Sequence, residues 1–314
     1  MKEFLPEGQL LNTQSNKNAI SSKLALYEAY KNNVILESKV ILCDNEHNLI
    51  VDLGCMRGII PRAEGALGIK DGTVRDIALI SRVNRPVCFV ITSFTKDKFG
   101  KDIAILSRSF AQKKCYDEYI SKLNIGDIID ARITHIEGFG AFADIGCGIV
   151  SLIPIDLISV SRIDHPRERF KVDMDIKAIV KTKENNRICL THKELLGSWQ
   201  ENASLFSPGE TVTGIVRSVE NYGAFVELMP NLAGLAESKD GIFPKQMVSV
   251  YIKNILPQKM KIKLIIINTF EEQRNIIAPK YFYNKDHMDK FIYSPIESNK
   301  NLETNFKILQ NSNK

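Results

Sequence analysis

Apolar and polar side chains alternate between residues 128 and 136, the pattern of a strand with one face buried. Shorter apolar runs follow at 141–145, 149–153, 175–183 and 187–190. Turn residues punctuate them: Gly138 and Gly140, then Gly146-Cys147-Gly148, then the polar Glu184-Asn185-Asn186. One connection is long, running from Pro154 through Pro166 and the charged Arg167-Glu168-Arg169. Five short strands with a long third-to-fourth connection predict a five-stranded Greek-key barrel of OB type, in preference to a generic small β-sandwich.

The course repeats. Residues 212–219, 224–228, 234–238, 248–255 and 260–267 predict the same five strands, the last pair turning through Pro257-Gln258-Lys259. Gly126-Asp127-Ile128 aligns with Gly209-Glu210-Thr211, and Gly138-Phe139-Gly140-Ala141-Phe142-Ala143-Asp144 aligns with Asn221-Tyr222-Gly223-Ala224-Phe225-Val226-Glu227 without a gap. The period, roughly eighty residues, is that of a whole small domain and not of a solenoid turn. A weaker copy precedes both: 38–45 and 49–53 read as strands, Gly54-Cys55-Met56-Arg57-Gly58-Ile59-Ile60-Pro61 matches 146–154 with one residue fewer, and 87–95 and 103–107 close the unit. Its first turn, Glu46-His47-Asn48, lacks the aromatics.

Helical spacing over 19–31 predicts one amphipathic helix, with Ser21 and Ser22 as N-cap candidates. Residues 110–123 and 193–206 also have helical character, Gly197 being a weak point in the second. The expected organisation is all-β: tandem five-stranded OB-fold barrels joined by short helical linkers. In order these are a mobile N-terminus and short helix (1–32), a degenerate barrel (33–108), a linker (109–124), a barrel (125–192), a linker (193–207), a barrel (208–270) and a C-terminal extension (271–314). Within the extension, 276–283 and 291–293 are expected to pack on the third barrel. The Asn- and Lys-rich stretch 298–314 is expected to be disordered.

Composition narrows the function. The chain is 44% hydrophobic and 25% charged, as globular proteins are. No apolar run reaches membrane-span length, and the start lacks a secretory pattern, so a cytoplasmic protein is expected. A net charge of +5 permits a nucleic-acid partner without requiring one. The six cysteines form no C-x-x-C pair, and read as buried free thiols in a reducing compartment. There is no P-loop, dinucleotide fingerprint or nucleophile elbow, and Asp127, Asp144, Asp173 and Asp175 do not cluster. The five histidines are isolated, His192 being read as exposed. No catalytic residue, metal site or cofactor is expected.

The second strand of each good repeat is the informative surface. Side chains alternate along a strand, so with Ala143 and Val226 inside the barrel, Phe142 and Phe225 face out. Phe139 and Tyr222 stand on the turn leading onto that face. Exposed aromatic pairs make a platform on which unpaired bases stack, worth roughly 1–3 kcal/mol per base. Arg162, Arg167, Arg169, Lys181 and Lys183 beside the middle barrel, and Lys253, Lys259, Lys261 and Lys263 on the third, are candidate phosphate contacts.

On these motifs both copies resemble the S1 RNA-binding domain, and the tandem resembles the bacterial ribosomal protein S1 family, particularly its shorter members. The resemblance implies an RNA face of two aromatics, a histidine after the third strand and a basic residue on the last. Phe139, Phe142 and Arg187 match it in the middle repeat, where Pro154 replaces the histidine. Tyr222, Phe225 and Lys261 match it in the third, where Glu237 replaces the histidine. In the first repeat these positions read His47, Ile50, Pro61 and Ile103, so that barrel is expected to dock on a protein instead. The implied function is binding of single-stranded RNA, with mRNA and the small ribosomal subunit as partners. The alternative is a regulator or adaptor docked on a ribosome, an RNA polymerase or an RNA-degrading assembly. The sequence leaves oligomeric state open.

Overall fold

A computed structural model describes residues 4–184, 187–237, 239–270 and 278–307. Its strands form three closed five-stranded barrels. The first contains β1 (Leu36–Cys43), β2 (Leu49–Asp52), β3 (Arg57–Ile60), β4 (Pro86–Lys96) and β5 (Asp102–Ser107). The middle contains β6 (Ile128–Glu137), β7 (Gly140–Asp144), β8 (Val150–Pro154), β9 (Asp175–Glu184) and β10 (Arg187–Thr191). The third contains β11 (Thr211–Glu220), β12 (Gly223–Met229), β13 (Leu232–Ala236), β14 (Met247–Leu256) and β15 (Lys261–Phe270). All three share one strand order, first-second-third-fifth-fourth. The third and fifth strands run parallel in each, and the first three strands form an antiparallel meander in the outer barrels. The polar turn expected at 184–186 includes Asn185 and Asn186, which lie outside the described residues.

Glycine at the start of the second strand has a steric cause. A Cβ on Gly140 would lie 2.5 Å from the Ile153 carbonyl oxygen, and one on Gly223, whose φ is +147°, would collide with that of Ala236. The second strand thus runs closer to the third than any side chain permits.

The helices differ from expectation in detail. The helix expected over 19–31 is two, α1 (Gln14–Ala19) and α2 (Lys23–Lys31), because Ser22 caps the second by accepting the Ala25 N–H. After α3 (Ile77–Ile80) in the first barrel's long connection comes α4 (Arg108–Glu118). The second linker is broken at Gly197, with φ +87°, before α5 (Trp199–Ala203). There Ser198 and Glu201 form a reciprocal capping box.

The chain forms two compact units. One is Met1–Leu123 with Asp130–Arg132 and Asp144–Val150; the other is Asn124–Ile129, Ile133–Ala143 and Ser151–Lys314. In the first, the polar start, described from residue 4 on, is not the mobile tail its composition suggests. Glu7 is buried and takes a two-pronged bond from Arg108, at 2.7 and 3.0 Å, while its own N–H donates to Asp144 at 2.7 Å. Asn16 is buried and exchanges two hydrogen bonds with the Glu37 backbone. Polar residues are held here because they satisfy buried polar groups of the fold.

In the second unit the extension departs from expectation. Tyr281, Tyr283 and Phe291 pack with Ile125, Ile128 and Ile179 of the middle barrel rather than with the third; Tyr293 joins the third-barrel core. Part of the stretch expected to be disordered is built in: β16 (Lys290–Ile292) pairs with β17 (Glu303–Asn305), and Phe306 is fully buried. Residues 276–277 and 308–314, included in those expectations, lie outside the described ones.

Candidate nucleic-acid interface

The strand alternation places Ala143 and Val226 in the barrel interiors and leaves Phe142 and Phe225 half-buried on the outer faces. Each meets the aromatic on the preceding turn edge-on. Phe139 and Phe142 have ring centroids 6.0 Å apart at 90°, and Tyr222 and Phe225 are 6.2 Å apart at 89°. Phe139 and Tyr222 are 59% and 67% exposed, so each pair keeps open ring surface while fixing its own geometry. The Phe139 turn is anchored: its carbonyl accepts the Ile155 N–H at 2.9 Å, just past Pro154. Where the resemblance implies a histidine, Pro154 therefore starts a 3-10 turn that steadies the aromatics.

Register shows what lies beside the rings. In the third barrel Ser218, Phe225, Leu235 and Lys263 stand directly across successive strands. Lys263, not Lys261, is the cation in line with the aromatic. Lys261 is two residues earlier on the same exposed face of β15. In the middle barrel Leu152 pairs with Cys189, and Arg187 is two residues before it, exposed, on a cleft of about 640 Å3 with Leu152, Thr182 and Glu184.

His135 was missed by sequence reasoning. Its ring lies 6.1 Å from that of Phe142, and Nε2 is 2.5 Å from Glu137 Oε1, adding a third ring to the platform. The repeat carried half of the signal, aligning His135 with Ser218; that Ser218 stands across from Phe225 comes from the strand pairing.

Other candidates fall elsewhere. Arg169 is no phosphate contact. With Arg217 it is largely covered and packs on Glu227, a fully buried carboxylate that accepts from Arg169 Nη2 at 2.5 Å and Arg217 Nε at 2.7 Å; Glu168 also pairs with Arg217. Glu227 is on the same face of β12 as Phe225, but the 160–170 connection covers it. Ser161 and Val160 continue that contact, donating to Pro230 and Asn231. Arg162, Arg167, Lys253, Lys259 and Lys263 are exposed, and Lys181 and Lys183 half-buried. Glu237 is exposed and 3.4 Å from Lys253 Nζ, so its charge is partly offset.

His192 is buried, contrary to expectation. Its Nδ1–H donates to the Ile158 carbonyl at 3.0 Å, so Nε2 is free to accept from the Tyr281 hydroxyl at 3.3 Å. Burial lowers its pKa to about 4 and keeps it neutral. Asp144, read as one of several scattered strand-end carboxylates, is buried, and burial with the nearby Glu7 charge raises it to about 8. Of the cysteines, Cys88, Cys115 and Cys147 are buried, but Cys43 and Cys189 are half-exposed and Cys55 is exposed.

The S1 RNA-binding domain family model matches residues 122–193, the middle barrel with its flanks. The middle barrel is thus similar to an S1 RNA-binding domain. The chain is 26% identical over 266 residues to the small ribosomal subunit protein bS1 homolog of Bacillus subtilis (strain 168), covering 83% of this chain and 66% of that one. It is 27% identical over 266 residues to the small ribosomal subunit protein bS1 of Staphylococcus aureus (strain COL), covering 79% and 65%. The chain thus spans about two thirds of the length of these relatives. A solved multidomain protein with nucleic acid binding domains from Streptococcus pneumoniae aligns at 13% identity over 77% of this chain and 76% of that one. Its TM-score is 0.26, too low to carry an argument.

Proposed function

We propose that this protein binds single-stranded RNA along the outer faces of its middle and third barrels, and that it does so in the cytoplasm on mRNA at the small ribosomal subunit. The observation that carries the reading is the repeated right-angled aromatic pair, Phe139/Phe142 and Tyr222/Phe225, with a cation on each barrel's last strand. Bases stack on the open ring faces, and Arg187, Lys261 and Lys263 meet the backbone. His135 adds a ring and a hydrogen-bonding edge in the middle barrel. Each face alone offers few contacts; linked faces act together, because the second contact is intramolecular. The names of the bacterial relatives support the ribosomal setting.

The test is fluorescence anisotropy with a single-stranded oligonucleotide. Replacing Phe139, Phe142, Tyr222 and Phe225 by Ala removes stacking worth about 1–3 kcal/mol per base, so affinity falls by a hundredfold or more. A quadruple variant that binds like the parent refutes the stacking model.

A further inference from the structure

The first barrel lacks the aromatics at the positions that carry them elsewhere, yet its register tells a second story. Its outward row is Leu42, Ile50, Ile59 and Ile105, in line across four strands. Two residues before the Ile59–Ile105 pair, on the same parallel strands, stand Arg57 and Ile103. In the middle barrel the corresponding places hold Val150 and Arg187, and in the third Ala233 and Lys261, each two residues before a paired position. All three barrels therefore keep one cation at this point. In the first it has moved from the fifth strand to the third.

An aromatic has moved as well. Phe99 stands at the tip of the β4–β5 turn and is 88% exposed. The turn is built to hold it: Asp97 Oδ1 accepts the N–H groups of Phe99 and Lys101 at 2.8 and 2.9 Å, and Gly100 has φ +75°. Phe99, Arg57 and Lys101 line one open cleft of about 730 Å3 over the parallel strands, where the middle barrel has its cleft beside Arg187. Of the three acids lining it, one is paired with a cation and two are oriented by backbone N–H groups and keep their charge. Asp97 holds the turn, Asp52 accepts the Gly54 N–H at 2.8 Å, and Asp102 pairs with Lys23 at 2.6 Å. Arg57 and Lys101 make no ion pair among the described residues, so the cleft presents two uncommitted cations beside an exposed ring. That is the pairing of phosphate contact and base stacking that an unpaired strand requires.

We propose that the first barrel is a third single-stranded RNA site, with Phe99 as its stacking residue and Arg57 and Lys101 as its phosphate contacts. It shares its ligand class with the reading above but stands on different residues.

The experiment uses a 5′-fluorescein 30-mer oligouridylate and a 4-thiouridine version of it, with the full chain. Phe99→Ala and Arg57→Ala are placed in the parent and in the F139A/F142A/Y222A/F225A background. Both side chains are exposed, and circular dichroism melts verify folding. In the quadruple background either substitution raises Kd at least fivefold, Arg57→Ala lowers the salt slope by about 0.7, as one lost phosphate contact does on a single strand, and 4-thiouridine crosslinks map to residues 97–101. Unchanged affinity with no crosslink there overturns the proposal, and a protein partner becomes the occupant to seek, whether or not the four aromatics matter. If the quadruple variant binds like the parent while Phe99→Ala weakens binding, this site stands and the two-barrel platform falls.

Discussion

Glu227→Ala should be among the most damaging single substitutions in the third barrel. The carboxylate is fully buried and bridges Arg169 and Arg217, whose side chains are each 10% exposed. Removing one partner of a buried ion pair costs about 3–5 kcal/mol, mostly because the remaining charge is stranded without solvent. Here Arg217 keeps Glu168, so Arg169 is the charge stranded, and Glu227 Oε1 makes no hydrogen bond among the described residues. Both facts place the cost at the lower end, about 3 kcal/mol, or roughly a hundredfold in the folding constant. The single tryptophan, Trp199, is buried in the third-barrel core and reports on it directly. Followed by Trp199 fluorescence, the urea midpoint should fall by about 1–3 M, given a slope of 1–3 kcal/mol per M for a small domain. Replacing Glu227 by Leu and Arg169 by Met together should recover much of the loss, because no orphaned charge remains. A shift equivalent to less than about 1 kcal/mol, or a double variant no better than the single, would show that the bridge does not hold the 160–170 connection against β12.

Acid should loosen the middle barrel through His192. Its folded pKa, about 4, is below its ordinary 6.5, so the unfolded chain binds the proton first and stability falls as pH drops from 6.5 toward 4. The full loss is about 3 kcal/mol. Hydrogen exchange of β9 and β10 amides between pH 7 and 4.5 should show this slope in the parent and a smaller one in His192→Gln; equal slopes would exclude His192 as the cause. Gly223→Ala should cost about 2 kcal/mol or more, combining a positive-φ alanine with a collision against the Ala236 carbonyl. A thermal melt within a degree of the parent would mean that the second strand is not confined as described.

The outward aromatics were legible because their placement is a local matter. Alternation along a strand sends Phe142 and Ala143 to opposite sides whatever else the chain does, and the repeat sets the same geometry at Tyr222 and Phe225. Lys263 and His135 were harder to see, since a bulge shifts the register between Val216 and Ser218 and only the pairing shows which residues share a row. Phe99 escaped because comparison between repeats looks for a residue at the same place, whereas the cleft keeps the chemistry and moves the side chain to another turn.

By itself the sequence determined the three five-stranded barrels and the aromatic face, consequences of alternation, turn residues and duplication over short distances. Only the tertiary structure decided which polar residues are inside. Each barrel carries an acid at or near the end of its second strand, Asp52, Asp144 and Glu227, and the sequence treats them alike. In the fold Asp52 is exposed, Asp144 is covered beside Glu7, and Glu227 is sealed by arginines. The partners come from far along the chain, Glu7 and Arg108 being 101 positions apart and Arg169 and Glu227 58. Hydropathy cannot report such pairs, because a charged side chain looks the same in sequence whether it meets water or its counter-ion.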